Sequence, residues 1–167
     1  MENKYCEYPI TMPEVKTKAE VKRISRDKMF MEIARIVALR GTCDRAQVGA
    51  VLVDPNNNIV AIGYNGAPSG EPHCDKAGHI MYQGHCIRTV HAEENCINKI
   101  ENMSKGKYTL YVTHYPCVKC QVTLYEKIKN NPGTKLLIVF DKMYGTPTAL
   151  SLLGDVHDVL QISKFIN

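Results

Sequence analysis

The sequence predicts an α/β fold, a three-layer α/β/α sandwich around a mixed five-stranded sheet, and three observations predict it. An apolar run at helical spacing comes first and is followed by two β-rich runs joined by a cluster of turn formers. Strand-like and helix-like runs then alternate, the order that builds parallel strands with helices packed on the sheet. The chain has 167 residues, 44 % hydrophobic and 23 % charged, which is enough for one buried core and too little for two.

Residues 1–24 are polar, carry Pro9 and Pro13 and lack periodicity, so they are expected to form an N-terminal arm with Tyr5 and Tyr8 as anchors, and 25–167 a single domain. From Ser25 onward, Met29, Ile33, Ile36, Val37 and Leu39 recur at helical spacing, with Ser25 as N-cap and Gly41 as stop. Gln47 to Val53 and Ile59 to Tyr64 read as an antiparallel hairpin across Asp54-Pro55-Asn56-Asn57-Asn58. The stretch from Asn65 to Val90 is irregular. A loop of that length inside a compact domain is usually functional, or tied down by something other than a core. The remaining elements are a helix from Ala92 to about Asn102, a strand from Tyr108 to Thr113, and a helix from Val118 to about Asn130 stopped by Asn131-Pro132-Gly133. A strand from Lys135 to Phe140, a helix from about Pro147 to Leu153 and a strand from Val159 to Ile162 complete the series.

The net charge of +4 suits a protein that handles small anions and lacks the dense basic stripe of a dedicated nucleic-acid binder, so no nucleic-acid partner is expected. No apolar run reaches the roughly 18 residues of a membrane span. Met1 to Ile10 has no basic segment followed by an apolar one, so the expected location is the cytoplasm. There the seven cysteines are expected to be reduced, and clustered Cys and His more often bind metal than pair as disulfides.

The chemistry is concentrated in His91-Ala92-Glu93 and Pro116-Cys117-Val118-Lys119-Cys120. His91, Cys117 and Cys120 can supply three ligands to zinc and leave the fourth position open, while Glu93 is not needed as a ligand. This pairing is the signature of zinc nucleobase deaminases. Zinc so held lowers the pKa of a water from about 15.7 towards roughly 7, and a carboxyl group beside it can carry the proton to the ring nitrogen and then to departing ammonia. Glu93 is that shuttle; Glu94 lies about 100° further round the helix. Both motif pieces open predicted helices, whose partial positive charge favours the thiolates of Cys117 and Cys120, and Pro116 fits the first helical turn. The competing reading is a closed structural zinc with a fourth protein ligand, which leaves Glu93 without a task.

Beyond the zinc motif, Val48-Gly49-Ala50-Val51, Gly63-Tyr64-Asn65-Gly66-Ala67-Pro68-Ser69-Gly70, Cys86-Ile87-Arg88-Thr89-Val90-His91-Ala92-Glu93 and Tyr111-Val112-Thr113 resemble the deoxycytidylate deaminase family in its phage and bacterial form, over about Ser25 to Tyr144. The resemblance implies a cytidine deaminase-like fold and hydrolysis of dCMP to dUMP and ammonia, in a bacterial host's cytoplasm if phage-encoded. It also implies a homo-oligomer, commonly a hexamer, activated by dCTP and inhibited by dTTP with Mg2+ on the triphosphate. Gly63, Tyr64, Asn65 and Gly66, with Glu94 and Asn95, resemble the region where that effector binds.

From the residues themselves, a nucleotide phosphate needs a cation, and Arg26, Arg45, Arg88 and Lys142 are candidates, with Tyr144 counted in the substrate-binding set. Asn65 could hold a sugar hydroxyl, and small Ala92 leaves room for the pyrimidine. Four further potential ligands surround the long loop: Cys43, Cys74, His79 and Cys86. Some members of the family that this chain resembles carry a second, structural zinc here. Cys43 and Cys74 match its ligand positions; the later ligands fall in a length-variable stretch, so His79 with Cys86 is preferred and His85 is the reserve. Such a zinc would staple a loop too polar to pack itself. Cys96 reads as a buried helix residue, and His114 and His157 receive no role. Two rivals remain open. A tRNA or other nucleic-acid deaminase would want aromatic stacking surfaces, but the chain has no Trp and three Phe. A non-catalytic zinc-binding interaction module is the other.

Overall fold

A computed structural model describes residues 21–143 and 160–165. The helix expected at 147–153, Tyr144, His157 and most of the arm lie outside the described residues. The elements are α1 (Arg26–Ala38), β1 (Gly49–Val53), β2 (Ile59–Tyr64), α2 (Cys74–Ala77), β3 (Met81–Tyr82), β4 (His85–Cys86), α3 (Ala92–Ile97), β5 (Gly106–His114), α4 (Val118–Lys129), β6 (Thr134–Lys142) and β7 (Leu160–Lys164). The main sheet runs β2-β1-β5-β6-β7. Strand β1 is antiparallel to both β2 and β5, whereas β5, β6 and β7 are parallel, so the sheet is mixed and five-stranded as expected.

Alternating residues of the strands face two layers. Leu52, Leu110, Val112, Ile138 and Phe140 pack on one side with Ala92, Cys96 and Ile97 of α3 and Leu124 and Ile128 of α4. Val51, Val53, Tyr111 and Val139 pack on the other with Phe30, Met31, Ala34 and Val37 of α1. Burial on both faces explains why β1 reads as an unbroken apolar run, Gly-Ala-Val-Leu-Val.

Ser25 caps α1 as expected, its hydroxyl accepting from the Lys28 N–H at 3.1 Å. The buried face is only partly the expected one: Val37 is buried and Ile33 packs against the core, but the other expected residues are not. Phe30, Met31, Ala34, Val37 and Ala38 are buried, whereas Ile36 and Leu39 are 66 % and 71 % exposed and Met29 is 39 % exposed. The helix lies so close to β1 that a Cβ at Gly49 would stand 2.1 Å from the Ala34 carbonyl oxygen, so small residues, Ala34 and Ala38, stand at that point of contact. Helix α3 stops at Ile97 rather than near Asn102, with Asn98 as C-cap and short turns through Lys99 and Ile100 that lead Met103 back into the core.

Candidate active site

Both halves of the zinc motif sit where a strand or loop turns into a helix. His91 is the N-cap of α3 and Cys117 the N-cap of α4, each with extended backbone that projects its side chain off the helix start. Pro116 is therefore one residue before the cap and not in the first turn as expected; its carbonyl accepts from the Gln121 side chain at 2.8 Å, which fixes the entry of α4.

The three expected ligands come together. His91 Nδ1 lies 3.2 Å from Cys120 Sγ and 3.5 Å from Cys117 Sγ, and all three ligand atoms are within 4.8 Å of one another. Tetrahedral zinc with Zn–S near 2.3 Å and Zn–N near 2.0–2.1 Å requires N···S separations of about 3.6 Å and S···S of about 3.8 Å. The donors thus fit zinc, with His91 ligating through Nδ1. Their charges fit as well. Hydrogen bonding from Cys120 and His91 holds the Cys117 thiol down to about 4, while that same bond to Cys117, with burial, pushes the Cys120 thiol up. A cation seated among the three ligand atoms would favour the thiolate form of both sulfurs.

Glu93 follows in the first turn of α3, is 5 % exposed, and has its carboxyl pushed up to about 7 by burial. A carboxyl poised there can both take and give a proton at neutral pH. It shares one cavity with His91, Ala92 and Cys117, closed on another side by His114 and Tyr115 from the end of β5. Neither His114 nor Tyr115 belongs to a motif that marks it in the sequence. The available signal was their position, three and two residues before Cys117 respectively, at the end of a central strand.

The Gly63–Gly66 segment holds α3. A Cβ at Gly63 would meet the Ala92 carbonyl oxygen at 2.3 Å and the Cys96 nitrogen at 2.5 Å, so only glycine lets β2 pass this close. Asn95 donates its side-chain amide to the Tyr64 carbonyl at 2.8 Å, and Gly66 exchanges two backbone hydrogen bonds with Val90, which precedes His91. Asn65 lines the site cavity, but its Oδ1 accepts from Val48 N–H and its Nδ2 donates to Ala46 carbonyl, both at 2.7 Å. It clips the entry of β1 to the end of β2. Tyr64, Gly66 and Asn95 line a second cavity together with Lys76 and Lys99; Gly63, Asn65 and Glu94 do not line it.

Among the phosphate candidates, Arg45 lines the site cavity and donates to the Gly84 carbonyl at 3.1 Å. Arg88 donates to the Gly78 carbonyl at 2.9 Å. Arg26 and Lys142 are exposed and are not among the residues lining that cavity. Tyr144 is outside the described residues.

The second set converges too. Cys43, Cys74, His79 and Cys86 have ligand atoms within 4.8 Å of one another, with Cys74 Sγ 3.7 Å from Cys86 Sγ and Cys43 Sγ 3.8 Å from His79 Nδ1. The outer nitrogen of His79 is 3.1 Å from Asp44 Oδ1, the carboxylate support that metal-bound histidines usually have. Burial pushes the Cys74 thiol up to about 12; burial opposes ionisation of Cys86 too, but hydrogen bonds from Arg88 N–H and His79 bring that thiol down to about 7. The reserve ligand His85 is exposed and lines the site cavity instead. Short elements α2, β3 and β4 fill the loop read as irregular, and this cluster joins them to the segment before β1.

An open Cys/His triad beside a buried carboxyl, on a sheet of this order, defines the class: a zinc-binding α/β/α domain with the cytidine deaminase-like fold. Residues 24–130 match the family described as the cytidine and deoxycytidylate deaminase zinc-binding region, and the chain belongs to that family. It is 43 % identical over 103 residues to ComE operon protein 2 of Bacillus subtilis, covering 60 % of this chain and 53 % of that one. It is 32 % identical over 166 residues to the deoxycytidylate deaminase of Pongo abelii, covering 93 % of this chain and 88 % of that one. The crystal structure of dCMP deaminase from the cyanophage S-TIM5 in complex with dCMP and dUMP is similar with a TM-score of 0.63 at 25 % identity, over 83 % of this chain and 95 % of the other. For three of the curated relatives the chain spans between 34 % and 58 % of their length. Among the described residues no helix is long and apolar enough to cross a membrane.

Proposed function

We propose that this chain hydrolyses dCMP to dUMP and ammonia. The observation that carries the reading is the convergence of His91 Nδ1, Cys117 Sγ and Cys120 Sγ beside the buried carboxyl of Glu93. Zinc on those three atoms would supply a Lewis acid and water acidified towards neutral pH. The chain's own residues do the rest. Glu93 takes one proton of the water as its oxygen adds to C4 of the cytosine and delivers it to N3; it then takes the remaining proton from the hydroxyl at C4 and passes it to the departing amino nitrogen, as the C–N bond breaks and the C4 carbonyl forms. Ala92, fully buried beside the ligand histidine, leaves space for the pyrimidine ring. His114 and Tyr115, which line the same cavity, are assigned to the side of the ring. Arg45 stands at the wall of the same cavity and is assigned to the 5′-phosphate.

The choice of dCMP over other amino-pyrimidines is supported by relatives named deoxycytidylate deaminase and by the dCMP- and dUMP-bound phage enzyme of the same fold. Activation by dCTP, inhibition by dTTP, Mg2+ on that triphosphate and assembly as a homo-hexamer belong to the same reading. The second cavity, with Tyr64, Asn95, Lys76 and Lys99, is where the effector is assigned. The four-residue cluster Cys43, Cys74, His79 and Cys86 is assigned a closed structural zinc. Ammonia release measured separately with dCMP, dCTP, deoxycytidine and an RNA hairpin tests the assignment. Turnover of dCMP well above the other three is expected; release from the RNA alone overturns it.

A further inference from the structure

Glu94 is the neighbour of the proton shuttle and faces elsewhere. It is the third residue of α3, and its carboxylate reaches back to the His91 backbone N–H, 3.4 Å from Oε2, in the manner of a capping box. The same carboxylate takes Lys119 Nζ at 3.0 Å and 3.3 Å. Lys119 stands between Cys117 and Cys120 in the sequence, one residue before the second sulfur ligand. One carboxylate thus touches the backbone of the histidine ligand and the side chain carried between the two cysteine ligands.

We infer that Glu94 and Lys119 form a clamp that sets the mutual position of the two ligand segments, making Glu94 a positioning residue for the metal site. The inference rests on reading His91, Cys117 and Cys120 as a zinc site. No other ion pair among those described spans α3 and α4. The histidine and cysteine segments are 25 residues apart in the chain at this bridge and come from different sheet connections, so their spacing depends on contacts between the two helix starts. An exposed pair of this type ordinarily contributes little. Here the partners are unequal: the Glu94 side chain is 12 % exposed and Lys119 71 %. The lysine neutralises a carboxylate that cannot reach water freely and that stands beside two sulfur anions.

Charge gives the asymmetry of the clamp. Two thiolates, a neutral imidazole and Zn2+ sum to zero, and the Glu94–Lys119 pair adds nothing further. Lys119→Met leaves a largely buried carboxylate unpaired next to the thiolates, which drives the ligand segments apart. Glu94→Gln leaves only an exposed lysine, and the glutamine oxygen can still accept from His91 N–H. The lysine change is therefore the more damaging one, the reverse of what exposure alone suggests.

The test is the rate at which zinc passes to a coloured chelator from the zinc-loaded full chain. The phase that belongs to this site is the one lost in His91→Ala. Supporting partners of metal ligands typically change metal affinity about 10- to 100-fold. That phase is expected to accelerate about tenfold or more in Lys119→Met, less in Glu94→Gln, and to return towards wild type in Lys119→Arg. The double variant is expected to match Glu94→Gln and not Lys119→Met, because without the carboxylate no buried charge is left unpaired. The cobalt-substituted protein supplies a second readout: its sulfur-to-metal and d–d absorption bands shift in Lys119→Met if ligand geometry changes. A His91-dependent phase that keeps the wild-type rate in both single variants, with unshifted cobalt bands, overturns the clamp and leaves the zinc reading intact. Absence of any His91-dependent phase in the wild-type chain overturns the zinc reading, and the clamp with it.

Discussion

Replacing Gly63 by alanine tests how closely catalysis depends on the seat of α3. The added Cβ would lie 2.3 Å from the Ala92 carbonyl oxygen, against an ordinary contact of 3.4–4 Å, and 2.5 Å from the Cys96 nitrogen. Both obstacles are backbone of α3, which has no side-chain end to swing away, so strand and helix must separate by about 1 Å. That movement carries His91 and Glu93 off the position set by Cys117 and Cys120 on α4. A misplacement of about 1 Å can cost roughly 10²-fold in rate. Overpacking of this kind destabilises by about 1–3 kcal/mol, or roughly 2–12 °C in Tm for a domain of this size. Gly49→Ala is the control, since its Cβ would meet Ala34 and Ala38 of α1, on the opposite face of the sheet, at 2.1 Å and 2.5 Å. A similar fall in Tm is expected there, with kcat on dCMP kept within a few-fold. Wild-type kcat and Tm in Gly63→Ala would refute the argument from close approach, and equal losses of kcat in both variants would refute its directional part.

Two further outcomes follow from the metal sites and the buried carboxyl. Cys74→Ser removes a sulfur from the four-residue cluster, so bound zinc is expected to fall from two per chain to one with a lower Tm; one zinc per chain in the wild type would remove the structural site. Glu93 has its carboxyl raised by burial from 4.5 to about 7, so between those values the folded, metal-free chain binds the proton more than the unfolded chain does. That contribution to stability is present below pH 4.5 and lost as pH rises through 7, by at most about 3 kcal/mol. In excess chelator, Glu93→Gln is therefore expected to melt above wild type at pH 8, with the gap closing by pH 5; equal Tm values at pH 8 would contradict it.

The convergence of His91, Cys117 and Cys120 and the mixed five-stranded sheet were legible, the first because it rests on residue types that few other arrangements use and the second because a hairpin precedes alternating strands and helices. Cys117 and Cys120 at their spacing, with His91 opening another helix, left little freedom in where a metal could go. The buried face of α1 was legible only at Ile33 and Val37, since the periodicity of Met29, Ile36 and Leu39 is as helical as that of Phe30 and Ala34. What decides between the faces is Gly49, whose missing side chain admits the small residues Ala34 and Ala38, and that contact is not local in sequence. The stretch from Asn65 to Val90 was read as irregular because its short elements have too few residues to show a period. Its organisation comes from the convergence of Cys43, Cys74, His79 and Cys86, the set that the resemblance implies with His79 preferred to His85. In the Gly63–Gly66 segment the residues were noticed for an effector, while their visible contacts are with α3 and the residue before His91.

Ammonia release from dCMP by zinc-loaded wild type and zinc-loaded Glu93→Gln, with zinc per chain counted in the same samples, tests the central claim most directly. General acid–base removal is expected to lower kcat by about 10²- to 10⁴-fold while the zinc count stays unchanged. Glu93→Gln that retains wild-type turnover at full zinc content would contradict the assignment of Glu93 as the proton carrier beside the triad.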